Sequence, residues 1–149
     1  MNRRRLLREA NTALAVREMQ LKGAELGVGR QLAQTARARQ SLQASEVRLT
    51  HTERELAAVL TDPRIDIDRF VAWRRARTGA ERERQTQAQA LLGEQAALEA
   101  LRSAYFDHWA LTEAARRVMT DARRAATRAA EERALAAAED LRPCRGDPR

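Results

Sequence analysis

Leu60-Thr61-Asp62-Pro63-Arg64 is the stretch that divides this chain into two segments. Proline disfavours helical conformation in the residue before it, and Asp-Pro favours a turn. The other prolines, Pro143 and Pro148, lie near the end of the sequence. Asp66 or Asp68 can cap a helix that follows the turn. We therefore predict a helix over 3–60, a turn over 61–66, a helix over 67–140 and a disordered tail over 141–149.

The composition of the 149 residues is typical of long helices. Charged residues make up 33% of the chain, aromatic residues only 3%, and alanine dominates the apolar fraction. A rounded core needs bulky side chains from several elements, whereas Ala, Arg, Glu, Gln and Leu are strong helix formers. The composition therefore favours an all-α fold and disfavours a sheet.

Both predicted helices carry a heptad repeat, in two rows three residues apart. In the first helix the rows are Leu7, Leu14, Leu21, Val28, Thr35, Leu42, Leu49, Leu56 and Ala10, Arg17, Ala24, Gln31, Ala38, Ser45, Thr52, Val59. In the second they are Phe70, Arg77, Arg84, Leu91, Leu98, Tyr105, Thr112, Met119 and Trp73, Ala80, Gln87, Glu94, Leu101, His108, Ala115, Ala122. Sustained heptads indicate a coiled-coil seam.

The heptad rows also predict how the two helices pair. An antiparallel hairpin turning near residue 64 pairs residues whose numbers sum to about 129. Leu14 then faces Ala115, and Leu49 faces Ala80, so that large side chains oppose small ones. Some of the predicted layers are polar, among them Thr52/Arg77, Ser45/Arg84 and Thr35/Glu94. The sequence thus predicts a long antiparallel two-helix coiled-coil hairpin.

No pattern in the sequence indicates catalysis. His51 and His108 are single, without cysteine, histidine or carboxylate partners at metal-ligand spacing, and His108 is better explained as a polar seam residue. The serines and threonines lack a nearby base, and a hairpin of two helices has no concave pocket. We predict that the protein is not an enzyme and has neither a cofactor nor a metal site.

Localisation is predicted from two features that the sequence lacks. The basic start Arg3-Arg4-Arg5 is followed by Leu6-Leu7 and then by charge, without the apolar region of a secretory signal. No stretch reaches the roughly 18 apolar residues of a membrane span. With Cys144 as its one cysteine, the chain also has no internal disulfide. We predict a cytoplasmic protein.

Arginines are concentrated where the first helix begins and the second ends, within a formal net charge of +7. The pairing rule brings two groups together: Arg3, Arg4, Arg5 and Arg8 on the first helix, and Arg116, Arg117, Arg123, Arg124 and Arg128 on the second. Such a cluster suits an acidic partner, although solvation alone is also consistent with it.

A second feature is the apolar bulk near the turn, which comprises Ile65, Ile67, Phe70, Val71 and Trp73. Some of these side chains close the hairpin. Two packed helices cannot bury all of these side chains, and exposed aromatic surface commonly indicates an interface. We expect some of these residues to stabilise the turn and others to form a contact surface for a partner.

The plan of the whole chain resembles the central stalk proteins of type III secretion ATPases, called FliJ in flagella and YscO in injectisomes. A basic start leads into Leu14-Ala-Val-Arg-Glu18, and after the break comes Asp66-Ile-Asp-Arg-Phe-Val-Ala-Trp73-Arg-Arg, followed by Arg/Glu/Gln heptads. The Leu14–Glu18 and Asp66–Phe70 stretches are nearer the injectisome branch. The Arg-heavy composition with few aromatics departs from the family.

The resemblance implies a non-enzymatic stalk in a type III secretion apparatus, peripheral to the inner membrane. In such proteins the end with both termini enters the hexameric export ATPase, the rest of the hairpin contacts the inner-membrane export gate, and some members bind export chaperones. The ATPase contacts would be Arg3, Arg4, Arg5, Arg8, Arg117 and Arg124. The export-gate contacts would be Phe70, Trp73 and Arg77.

Two other classes of function stay open. One is a basic coiled coil that binds nucleic acid, which is disfavoured because acidic residues are interleaved with the arginines and aromatics for base stacking are scarce. Affinity for DNA that falls steeply with salt would favour it. The other is a generic scaffold whose helices pair between chains, which light scattering would distinguish from an intramolecular hairpin.

Overall fold

The computed structural model is an all-α hairpin of two long helices that pack against each other, which confirms the predicted fold class. It describes the backbone of residues 3–140 and the side chains of residues 5–140. Helix α1 comprises Arg3–Thr61 and helix α2 comprises Ile67–Asp140. The tail predicted over 141–149 lies outside the described residues.

The turn between the helices is organised by two aspartates. The Asp62 carboxylate accepts a hydrogen bond from the backbone N–H of Arg64 at 3.0 Å, beside Pro63. The Asp66 carboxylate accepts one from the backbone N–H of Arg69 at 3.1 Å, which satisfies a free donor in the first turn of α2. Of the two predicted caps, Asp66 is therefore the one that caps α2. The first helix ends at Thr61, one residue beyond the predicted boundary.

The buried face of each helix follows the heptad rows. Every residue assigned to the rows above is buried or half-buried, with the single exception of Arg77. The Arg77 side chain extends out of the seam, where its guanidinium donates to the Glu53 carboxylate at 3.3 Å. A long aliphatic stem allows an arginine at a seam position to keep its charge in water.

Contacts between the helices fix the pairing register. The Thr112 hydroxyl lies 3.3 Å from the backbone carbonyl of Arg17, and the Thr35 hydroxyl lies 3.5 Å from that of Glu94. Both pairs fall on the predicted register, and the second is one of the polar layers that the heptads predict. The antiparallel pairing is therefore seen in atomic contacts as well as in burial.

The described chain divides into two compact units. The terminal unit contains α1 up to Ala24 and α2 from Tyr105. Its buried side chains include Thr112, Met119 and Ala129. Arg116 joins its two helices by donating to Glu18 on α1 at 3.3 Å and to Glu113 on its own helix at 2.6 Å. These two hydrogen bonds raise the pKa of the Arg116 guanidinium above its ordinary value.

The turn unit contains Glu25–Ala104 and has a more polar seam. Its buried residues are the apolar Val59, Ala80 and Leu98 and the polar Gln31, Thr35, Ser45 and Thr52. The Gln31 amide donates to the Glu94 carboxylate and, at 3.2 Å, to the Glu94 backbone carbonyl. A partly buried polar pair of this kind favours one register, because a shift would leave the buried Gln31 amide without partners.

Glu81 and Arg84 form an ion pair beside this seam, 3.0 Å apart. The hydrogen bond from Arg84 lowers the pKa of the Glu81 carboxyl below its ordinary 4.5 and raises that of the Arg84 guanidinium. Since the folded-state pKa of Glu81 is depressed, its contribution to stability is present above pH 4.5 and is lost on acidification below that value.

We expect the carboxyl carbon resonance of Glu81 to titrate with a midpoint below 4.5 in the native chain. In Arg84→Gln the midpoint should rise, because the strongest favourable partner of the carboxylate is removed. A pH titration by NMR measures both values. An unchanged midpoint in the variant would mean that Arg84 does not set the pKa of Glu81.

Candidate interaction surfaces

The terminal unit carries the arginines predicted to contact the ATPase. Arg5, Arg8, Arg117 and Arg124 all belong to this unit, as the pairing rule predicts, and all four are exposed. Arg5 pairs with Glu9 at 2.8 Å, and Arg124 lies 4.0 Å from Asp121. Arg3 and Arg4 belong to the first turn of α1, and their side chains lie outside the described part of the chain.

The arginines of the terminal unit do not all have the same role. Arg116 forms ion pairs with Glu18 and Glu113, so its charge is compensated by carboxylates within the hairpin. Arg117, Arg123 and Arg128 are exposed and make no ion pair within residues 5–140. These three exposed side chains leave positive charge on the surface of α2 that an acidic partner can neutralise.

At the turn, the aromatic residues predicted to contact the export gate partly close the hairpin. Phe70 and Trp73 are half-buried on the seam. The Trp73 ring meets the His51 ring edge-on, with centroids 5.8 Å apart and planes at 85°. Arg77 is exposed and bonded to Glu53. The part of each ring that remains accessible is what a partner could contact.

The most exposed apolar side chains near the turn are aliphatic. They are Leu60, Ile65, Ile67 and Val71. Ile65 lies in the turn itself and Ile67 is the first residue of α2, where no facing helix covers them. The hairpin therefore does leave apolar side chains exposed near the turn, as expected. The exposed ones are these aliphatic residues, whereas Phe70 and Trp73 are half-buried.

Sequence reasoning missed a pair of exposed aromatic residues in the terminal unit. Phe106 is 62% exposed and Trp109 is 49% exposed. Each follows a seam residue, Tyr105 or His108, by one position, and a one-residue step along a helix turns the side chain out of the seam. Phe106 lies edge-on to Tyr105, with centroids 5.6 Å apart. The heptad phase would have revealed this pair.

The histidines are not grouped with other metal ligands. Residues 3–140 contain no cluster of three or more His, Cys, Asp or Glu side chains that could hold a metal ion. His108 is half-buried on the seam, and its Nδ1 atom has no hydrogen-bond partner in the described chain.

The surface grooves formed by Arg8–Gln20 and by Thr120–Glu131 are each lined by one helix alone.

Neither helix, over the residues described, has a stretch long and apolar enough to cross a membrane. Comparison with known proteins gave no match: no protein-family model, no curated protein and no solved structure is similar to this chain.

Proposed function

We propose that the protein is a non-enzymatic stalk or adaptor of a type III protein secretion apparatus. The observation that carries this proposal is the group of exposed arginines in the terminal unit, where α1 begins and α2 ends. Arg5 and Arg8 come from one helix, and Arg117 and Arg124 come from the other. Charge on both helices suits a partner that surrounds this end of the hairpin.

The proposed partner of these arginines is a ring of subunits with acidic groups around its lumen. An exposed arginine cluster is attracted into such a lumen, and complementary potentials increase the association rate and fix orientation. The guanidinium group remains charged at all physiological pH values and can bind a carboxylate through two parallel hydrogen bonds. In this function the terminal unit enters the hexameric export ATPase, with Arg3, Arg4, Arg5, Arg8, Arg117 and Arg124 towards the ring.

The turn unit would make the second contact, with the export gate in the inner membrane. Phe70 and Trp73 supply half-buried aromatic surface, and Arg77 supplies a hydrogen-bonding group beside it. Aromatic and arginine side chains are the residues that most often dominate protein interfaces. The protein would act in the cytoplasm at the periphery of the secretion apparatus, and export chaperones are further candidate partners.

The experiment that tests this proposal is recovery of partners from the native cell under mild crosslinking. We expect the tagged chain to recover a hexameric ATPase together with an inner-membrane export-gate protein. Recovery of nucleic acid alone, with neither protein, would contradict the proposal and favour a basic coiled coil that binds nucleic acid. A variant with Arg117→Glu and Arg124→Glu serves as the matched sample that should lose the ATPase.

A further inference from the structure

Three glycines lie close together within helix α1. Gly23, Gly27 and Gly29 fall within seven residues, in a helix that has no other glycine. Glycine favours the helical conformation less than alanine does, because it loses more backbone freedom on folding and adds no side-chain contact. The helix is therefore locally weakened at this point.

Neither packing nor backbone conformation requires glycine at these three positions. A Cβ atom added to any of them would meet no atom within 4 Å beyond its own turn of helix and its chain neighbours. None of the glycines in the described chain has a positive φ. Alanine would therefore fit at all three positions, and the lower helical stability is not a consequence of close packing.

The same part of α1 is also weakly held by the seam. Over residues 5–61 of α1, the buried residues all come after the glycines; they are Gln31, Thr35, Ser45, Thr52 and Val59. Residues 19–30 make no hydrogen bond or ion pair with α2 in the described chain. Residues 36–47 also lack such contacts, but they contain the buried Ser45 and no glycine.

The facing layer of α2 contains a buried polar atom without a partner. The pairing rule places His108 opposite Leu21, and both residues belong to the terminal unit. The Nδ1 atom of His108 makes no hydrogen bond in the described chain. A buried polar atom of this kind destabilises the closed form, and the cost is removed when water reaches the atom. This layer therefore also favours local opening.

We propose that residues 19–30 of α1 form a hinge that opens locally while α2 stays helical. The facing residues 99–110 of α2 contain no glycine. A few residues that can change φ and ψ are sufficient for a hinge, and such residues are often small. The part of α1 before the hinge can then change direction without loss of the buried layers that begin at Gln31.

Hydrogen exchange of the backbone amides in the full native chain, followed by NMR, tests the hinge. The exchange rate of a helical amide reports how often its segment opens. We expect residues 19–30 to exchange about a hundredfold faster than residues 36–47, because three glycines each favour the open form about fivefold. They should also exchange faster than residues 9–18, although that stretch is nearer the start of the helix.

A triple variant and a matched control separate local opening from unfolding of the whole chain. The triple variant is Gly23→Ala with Gly27→Ala and Gly29→Ala. It should slow exchange of residues 19–30 by about a hundredfold. The control is Gly79→Ala with Gly93→Ala, which makes the same kind of change in α2 at positions that also have space for a Cβ atom. It should leave exchange of residues 19–30 unchanged.

Three results would overturn the inference. The first is exchange of residues 19–30 that is as slow as that of residues 36–47. The second is a steady fall in rate from residue 9 to residue 47, which indicates fraying from the end of the helix. The third is a triple variant that slows residues 19–30 no more than its control does. None of these measurements involves an ATPase, so the inference can fail while the proposed function stands.

Discussion

Leu98→Ala is expected to lower the free energy of unfolding by about 2–4 kcal/mol, the usual cost of removing a buried leucine side chain. Leu98 is 7% exposed and lies on the seam of the turn unit, where many of the buried neighbours are polar. Because a seam between two helices has few large apolar side chains, each contributes a large share of the stability. Urea unfolding followed by circular dichroism measures the change.

The control for this prediction is Leu92→Ala, six residues earlier on the same helix. Leu92 is 66% exposed, and the change in helix propensity is the same for both substitutions. We expect Leu92→Ala to change the free energy of unfolding by less than about 0.5 kcal/mol. If the two variants were equally stable, the burial assigned to the heptad rows would be incorrect.

Reversing the charge at two arginines of the terminal unit should have the largest functional effect. In Arg117→Glu with Arg124→Glu, two exposed cations become anions, so an acidic ring would repel the surface that it is proposed to attract. We expect the concentration that gives half-maximal stimulation of the export ATPase to rise by about tenfold or more. Steady-state ATP hydrolysis by the purified ATPase measures this.

A matched variant separates a specific contact from a general effect of charge. Arg74→Glu with Arg75→Glu changes the net charge equally at two exposed arginines of the turn unit. It should stimulate the ATPase as the native chain does. Full stimulation by the variant at 117 and 124, or an equal loss in both variants, would contradict the proposed ring contact.

The heptad rows predicted most of the fold because a single physical requirement determines both. Each helix must bury one continuous stripe of side chains against the other helix. Thr35 and Glu94 illustrate this point: neither is apolar, yet their positions in the rows predicted the layer in which they meet. Pro63 predicted the turn, and the sequence offered Asp66 or Asp68 as the cap, of which Asp66 makes the capping hydrogen bond. Arg77 is the one assigned position that is exposed, because its long side chain can leave the seam without moving the backbone.

The candidate surfaces were less predictable than the fold. The grouping of Arg5 and Arg8 with Arg117 and Arg124 followed directly from the register. The exposure of Phe106 and the apolar character at Leu111 depend on the positions beside the seam, and composition alone does not distinguish them from core residues. Which partner covers a surface depends on the side chains of that partner, which this sequence does not contain.

The register of the hairpin is the claim on which both proposed contact surfaces depend, and a disulfide tests it most directly. Leu14→Cys and Ala115→Cys are introduced together in a Cys144→Ser background and oxidised at low protein concentration. We expect a crosslink within one chain, seen as an unchanged mass on a non-reducing gel and as a linked pair of peptides after digestion. A crosslink that joins position 14 to position 14 of a second molecule would contradict the hairpin and remove the basis of both surfaces.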